Sequence, residues 1–393
     1  MILCNTCGSD EIDHLFNNKI RSTARLNNVP YKVYICKKCG HVFLDYSFLK
    51  QVDLENYYKI NNPFEKVEEL DLGHQKVRSE QIDFVLDNIG KNIKNLKFLD
   101  IGCGSGFFLY LLKQKGYYCE GVERSNMMCE MINKHYNIKC TNTSFEELEI
   151  QNTFDVVSII TVIEHLFDPK KCLLKIRKLI KDDGFLFIEI PDTQLPRFDI
   201  LPDYLAFEHL HHWTIDTIKN LLNICGFEIC SFEQKRNDDD SGNPENVLRV
   251  LAKKVNIESN PKITNNYNKL YKNLKDFKLK HDDFINSFKI KIKNLLKKVD
   301  KEKVNIYCAG LHTNALISTF PELKDKIKDI YDSDLNLSNT IIENFSIKSS
   351  KLINKETNKN FIMSTTNHEH TIYNFLKSIN SEFKVFGLYN DFD

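Results

Sequence analysis

The stretch Phe98-Leu99-Asp100-Ile101-Gly102-Cys103-Gly104-Ser105-Gly106-Phe107-Phe108 constrains this chain more than any other. Its apolar opening reads as a buried strand and its close as the start of a helix. Between them, Gly102, Gly104 and Gly106 let the backbone take positive φ and approach a ligand with no side chain in the way. The helix expected over 107–115 aims its unpaired amides and positive dipole end at this turn. The spacing is GxGxG, not the GxGxxG of dinucleotide-binding turns. A second strand over 118–123 ends on Glu123, about 20 residues past the first glycine, where a carboxylate suits the two hydroxyls of a ribose.

Strand and helix patterns keep alternating as far as Pro191. A helix is expected over 126–135 and a short strand over 138–140. The apolar, β-branched run from Phe154 reads as a central parallel strand. Its end, Thr161 to His165, lies beside the glycine turn, because ligands of open α/β sheets gather at strand C-termini. His165 is read there as a supporting residue. An amphipathic helix over 169–181, a turn at Asp182-Asp183-Gly184 and a strand over 185–191 follow. The alternation argues for a doubly wound parallel sheet.

The sequence LDIGCGSG followed by GVE, and later FDVV with EHL, resembles class I S-adenosylmethionine (SAM)-dependent methyltransferases. The resemblance implies that Asp100, Gly102, Cys103, Gly104 and Gly106 line the methionine end of SAM. It puts Glu123 on the ribose, Ser144 and Phe145 near the adenine, and Thr161 at the strand end beside the cofactor.

Upstream, Cys4-x-x-Cys7 and Cys36-x-x-Cys39 form two matched knuckles, each followed by glycine. Two such turns complete a tetrahedral Cys4 zinc site, structural because four thiolates leave no open position. The gap between them exceeds the usual span of about 15–20 residues. The alternating segment 31–35 leads into the second knuckle as a strand. His14 and His41 are not expected as ligands.

Downstream, Phe207-Glu208-His209-Leu210-His211-His212-Trp213-Thr214 holds three of the 12 histidines and the sole tryptophan. Thr214 fits as the N-cap of a helix over 215–225. The order CxxC, CxxC, YY, IGxGxG, EHL, EHL and GF resembles the zinc-containing nucleotide-sugar C-methyltransferases over nearly the whole chain. That resemblance implies Glu208 and His209 as the acceptor-side pair, with His209 as base, and Tyr58 or its neighbour Tyr57 as an aromatic catalytic residue. Those enzymes carry Asn-Asp where this chain has Gly104-Ser105, and a GAxxKG turn where this chain has CAGLHT at 308–313.

Four segments are therefore expected: a zinc-binding module over 1–56, a SAM-dependent methyltransferase domain over 57–255, a helical linker over 256–303, and a smaller Rossmann-like α/β domain over 304–393. The expected function is methyl transfer from SAM to a nucleotide-linked sugar or related carbohydrate precursor, on carbon or oxygen. An RNA methyltransferase with a zinc ribbon and a non-catalytic zinc-scaffolded binding protein stand as alternatives. A formal net charge of +0 argues against nucleic-acid and membrane partners. No run of 18 apolar residues is present to span a bilayer. Twelve cysteines then fit thiols and a metal site in a cytoplasmic protein, a monomer or homodimer acting on a small molecule.

Overall fold

The structure, a computed structural model, describes residues 2–19, 29–46, 72–90, 94–145, 147–149, 152–194, 201, 205–237, 245–299, 302–334, 337–338, 340–366 and 368–392. Two compact units emerge: Met1–Phe16, Lys32–Pro196 and Phe207–Asn273 form one, and Asn17–Tyr31, Arg197–Ala206 and Leu274–Asp393 the other.

The chain opens with β1 (Ile12–Lys19), β2 (Pro30–Cys36) and β3 (Val42–Leu44), three strands of one small sheet. After α1 (Leu72–Ile89) comes β4 (Lys97–Ile101), then the glycine turn, α2 (Phe107–Gln114) and β5 (Tyr118–Glu123). Next come α3 (Asn126–Met131), β6 (Lys139–Asn142), β7 (Phe154–Ile160), α4 (Pro169–Leu179) and β8 (Ile180–Pro191). The short β9 (His211–His212) joins β3, and α5 (Ile215–Ile224), β10 (Phe227–Asn237) and β11 (Glu245–Lys254) complete the large sheet.

That large sheet has the order β10-β11-β8-β7-β4-β5-β6. From β6 to β8 every pair is parallel, with crossovers in opposite directions from β4, so a switch point lies between β4 and β7. The sheet is Rossmann-like but mixed, not purely parallel as the sequence pattern implied. β11 runs antiparallel between β8 and β10. Strand β10 reaches Asn237 and β11 begins at Glu245, so the antiparallel pair closes the sheet beyond β8.

Two smaller differences have local causes. The helix over 126–135 breaks into a π turn at Ile132–Tyr136, because Asn133 bonds the carbonyl of Cys129 and both backbone groups of Cys140. Asn137 then closes the turn with φ 50°. The 182–184 turn is an excursion within β8: Ile180 pairs with Phe154 and Phe185 with Val156, so three extra residues bulge between them.

Apolar side chains on both faces of the sheet form two cores. One gathers Leu99, Ile101, Val157, Ile159 and Trp213, and the other Phe98, Phe108, Leu109, Ile132 and Phe187. A buried polar network crosses them at the end of β8. Arg249 on β11, 0% exposed, pairs with Glu189, which accepts a 2.6 Å hydrogen bond from Gln81 of α1; Arg249 also reaches Glu233 at 2.8 Å.

The second unit contains most of α6 (Tyr267–Val299), one continuous helix within the expected helical linker. Phe288, Ile292, Leu295 and Val299 form its buried stripe. The unit continues with β12 (Val304–Tyr307), α7 (Leu311–Thr319), β13 (Ile327–Asp332), β14 (Ile341–Ile342), β15 (Phe345–Ser349), β16 (Asn360–Met363), α8 (Glu369–Ile379) and β17 (Lys384–Phe386). Its sheet order is β14-β15-β13-β12-β16-β17, parallel except at β14. His312 at the start of α7 bonds Ser364 Oγ at 2.9 Å and the Tyr389 hydroxyl at 2.7 Å. No described helix is long and apolar enough to cross a membrane.

The network around Arg249 makes a quantitative expectation. Arg249→Met strands the buried carboxylate of Glu189 and lowers unfolding free energy by about 3–5 kcal/mol in urea titrations. Adding Glu189→Gln, which removes that charge, restores much of the loss.

Candidate active site

The glycine turn is built by backbone bonds to the neighbouring strand. The amides of Gly102 and Cys103 both donate to the carbonyl of Val122, at 2.8 and 3.1 Å. Gly102, Gly104 and Gly106 have φ of 69°, 53° and 70°. A Cβ on Gly102 would lie 2.5 Å from Val162, and one on Gly106 would lie 2.7 Å from Ile132. A Cβ on Gly104 would meet nothing within 4 Å. Two glycines are thus forced by packing, while the middle one borders open space.

Glu123 faces this space. Its carboxylate accepts from the amide of Gly104 at 2.9 Å and from that of Ser125 at 2.9 Å. Each oxygen retains a second lone pair for a hydroxyl donor. Asp100 is buried beneath the turn and accepts from Ser158 Oγ at 2.7 Å. Burial raises its carboxyl to about 7, with the Ser158 bond opposing the rise. Cys103 turns its thiol inward, 3.9 Å from the sulfur of Cys140, so only its backbone faces the turn.

Thr161 follows β7 with φ 51° and is exposed. A β-branched residue there is strained by about 1–3 kcal/mol. Its amide donates to the carbonyl of Glu189 at 2.8 Å, which holds the bend. Ser144 and Phe145 follow β6: the Ser144 hydroxyl accepts from the Glu147 amide at 3.3 Å, and Phe145 is buried in the core under Lys175. Tyr57 and Tyr58 lie outside the described residues.

Beside Thr161, a single 3-10 turn, Ile163–His165, carries Glu164 and His165. Glu164 is buried and its carboxylate lies 4.0 Å from His165 Nε2. His165 Nδ1 lies 2.9 Å from the carbonyl of Glu208, and its ring meets His209 edge to face at 4.8 Å. Burial lowers His165 to about 4, the Glu208 carbonyl resisting. His209 is also lowered by burial, helped by His165 and His212. Both rings are therefore neutral near pH 7. The sequence pattern singled out His209 and Glu208, gave His165 a supporting part and left Glu164 unassigned. Its only signal was a charged pair closing an apolar strand.

The histidine-rich loop over 207–214 is held from the cysteine module. Strand β9 pairs antiparallel with β3, Val42 opposite His212 and Phe43 opposite His211, and the Leu44 amide donates to the carbonyl of Leu210 at 3.0 Å. His211 lies between His41 Nε2 and the Tyr46 hydroxyl, 3.0 Å from each. His41 stacks on Trp213 at 4.1 Å. His41 is thus part of a buried aromatic stack. Asn266 bonds Thr214, the N-cap of α5, at 3.2 Å and abuts Gly40, where a Cβ would meet its oxygen at 1.9 Å.

Cys4, Cys7, Cys36 and Cys39 converge, with all four sulfurs within 4.8 Å of one another. Cys4 and Cys39 are 3.6 Å apart, as are Cys7 and Cys36. The knuckles repeat one turn: Gly8 donates to Cys4 and Gly40 to Cys36, both at 2.8 Å, with φ of 74° and 76°.

Residues 74–231 match a family model described as a methyltransferase domain. They form a class I SAM-dependent methyltransferase domain. The ubiquinone biosynthesis O-methyltransferase of Rickettsia prowazekii is 28% identical over 151 residues, which are 36% of this chain and 60% of that protein. The enzyme of the same name from Haemophilus ducreyi is 30% identical over 113 residues, 26% of this chain and 48% of that protein. The chain therefore spans between about half and two thirds of the length of these relatives. The one from Coxiella burnetii is 26% identical over 189 residues and is 78% covered. Among solved structures, the Burkholderia thailandensis 1,6-didemethyltoxoflavin-N1-methyltransferase is 14% identical with TM-score 0.41, covering 55% of this chain and 96% of that one. The PH0226 protein of Pyrococcus horikoshii is 20% identical with TM-score 0.40, covering 51% and 98%.

The relatives' names overturn the nucleotide-sugar acceptor expected from the sequence, since they denote O-methyltransferases of ubiquinone biosynthesis. The methyltransferase domain sets aside a non-catalytic scaffold.

Gly104 and Gly106 separate cofactor binding from folding. Gly104→Ala adds a methyl to the open cradle and weakens SAM binding at least ~10-fold by calorimetry, for a stability loss of about 1 kcal/mol from its φ. Gly106→Ala meets Ile132 and loses more stability than Gly104→Ala in thermal melts.

Proposed function

We propose that this chain transfers a methyl group from SAM to an oxygen of a small molecule, a hydroxyl-bearing quinone precursor being the acceptor class indicated by the relatives' names. SAM supplies an electrophilic methyl on a sulfonium sulfur. The chain supplies the cradle and the handling of a proton. Gly102 to Gly106 and Glu123 would hold the methionine and ribose ends, with Asp100 fixing the turn from below. Ser144, Phe145 and Thr161 remain the candidates for the cofactor's other contacts.

The supporting observation is that the open cradle at Gly104 and the Glu164, His165 and His209 cluster follow strands β4 and β7, which are adjacent and parallel. Both therefore stand at the same edge of the sheet. Methyl transfer needs mainly an in-line approach, which positioning supplies. A hydroxyl acceptor must also give up its proton, and His209, with Glu208 beside it, is the candidate to receive it.

The test is incubation with SAM and a panel of hydroxylated aromatic compounds, including quinol precursors, with mass spectrometry for one added methyl ether. His209→Asn should lose turnover by at least ~100-fold while keeping SAM affinity. Undiminished turnover in that variant removes His209 from the chemistry. Methylation of carbon or nitrogen acceptors only would overturn the oxygen assignment.

We infer further that the four clustered cysteines hold a structural zinc ion in a ribbon-like N-terminal module. Zinc–sulfur bonds of about 2.3 Å make a tetrahedron with edges of about 3.8 Å, close to the two 3.6 Å separations. Metal analysis should find one zinc per chain. Its removal by chelation should abolish acceptor turnover through β3 and β9 yet leave SAM affinity nearly unchanged, because the module's described strands pair with β9 and not with β4 or β5.

A further inference from the structure

Phe167 comes two residues after His165 and is 52% exposed. A single exposed apolar side chain is ordinary on a protein surface, but the backbone beneath this one is fixed from three sides. We propose that the Phe167 ring recognises the aromatic ring of the acceptor, and that Asn5, inside the first cysteine knuckle, is the positioning residue that holds Phe167 in place. The inference rests on the methyl-transfer reading above and deepens it.

The restraints converge on Leu166-Phe167-Asp168. Before the ring, the amide of Leu166 donates to the carbonyl of Ile163 at 3.4 Å and closes the 3-10 turn. After it, Asp168 is the N-cap of α4, accepting from the Lys171 amide at 2.8 Å, and Pro169 opens the helix. Between them, the carbonyl of Phe167 accepts from the side-chain amide of Asn5 at 2.9 Å. The same amide nitrogen donates to the Tyr46 hydroxyl at 3.2 Å, so both of its hydrogens are engaged. Tyr46 is held in turn by His211 at 3.0 Å, and its ring meets that of Phe167 edge to face at 5.9 Å. Asn5 lies within the turn that Gly8 closes on the carbonyl of Cys4 at 2.8 Å. The first knuckle therefore grips the backbone of Phe167, and Tyr46 steadies its ring.

This segment follows β7, at the sheet edge that also carries the glycine cradle. An aromatic side chain on a fixed backbone offers a ring face or edge to an aromatic acceptor with little freedom left to lose. Ring-on-ring contact also orients the acceptor, which an in-line approach to the methyl requires. An aliphatic diol with the same hydroxyl spacing gains no such contact.

Binding of catechol and of cyclohexane-1,2-diol to the full chain, saturated with S-adenosylhomocysteine, is measured by calorimetry, and catechol methylation by mass spectrometry. The wild-type chain should favour catechol at least ~5-fold. Phe167→Ala and Phe167→Leu should each lose that preference, and Phe167→Tyr should keep it. In Phe167→Ala the KM for catechol should rise at least ~5-fold with kcat changed less than ~3-fold, and SAM affinity should stay unchanged, which shows that the variant remains folded. Asn5→Ala should raise the same KM at least ~3-fold, yet Asn5→Ala combined with Phe167→Ala should be no worse than Phe167→Ala alone, a non-additivity that general loosening of the module would not produce. No binding of either diol, equal affinity for both in the wild-type chain, or an unchanged preference in Phe167→Ala overturns recognition by the ring. Additive losses in the double variant overturn the role of Asn5. If the ring preference is found but no oxygen is methylated, this inference stands and the function fails. If oxygen methylation proceeds with a KM indifferent to Phe167, the function stands and this inference fails.

Discussion

Two amides from the glycine turn converge on one carbonyl, that of Val122, and the active edge of the sheet depends on that convergence. The shared acceptor ties the end of β4 to the end of β5 and leaves the amide of Gly104 free to bond Glu123. The glycine turn and the Glu123 carboxylate are thereby set by main-chain geometry. Side chains enter mainly as walls: Val162 closes over Gly102 and Ile132 over Gly106.

A second constraint acts on the acceptor side. The histidine-rich loop carries little regular structure of its own, since β9 has only two residues. It is ordered by what lies against it: β3 along its backbone, Tyr46 and His41 around His211, and Asn266 at the cap of α5. Burial of these imidazoles keeps them neutral, which makes them lone-pair donors instead of cations.

Much of the cradle was legible because its chemistry is local. Gly102, Gly104, Gly106 and Glu123 lie within one βαβ unit, and each fulfils its role through spacing alone. The cysteine pairs were legible for the same reason, although a long segment separates them. What escaped was non-local. Strand β11 alternates only weakly, and its Arg249 finds a buried partner on β8, which no pattern near Arg249 announces. Glu164 sits at the end of an apolar run, and its meaning depends on His209 arriving from a loop far downstream. The acceptor itself was misjudged because the overall order of motifs spoke for a carbohydrate, whereas the relatives of the central domain are named for quinones.

The antiparallel pairing of β3 with β9 has a consequence for how such a protein can be inherited. The histidine-rich loop borrows a strand from a segment encoded well ahead of the methyltransferase domain. Were the two recombined from different parents, the loop would lose its template, and a buried tryptophan its stacking partner, while the cradle persisted intact. The glycine turn of such a sheet is portable; the histidine-rich loop travels only with its template strand.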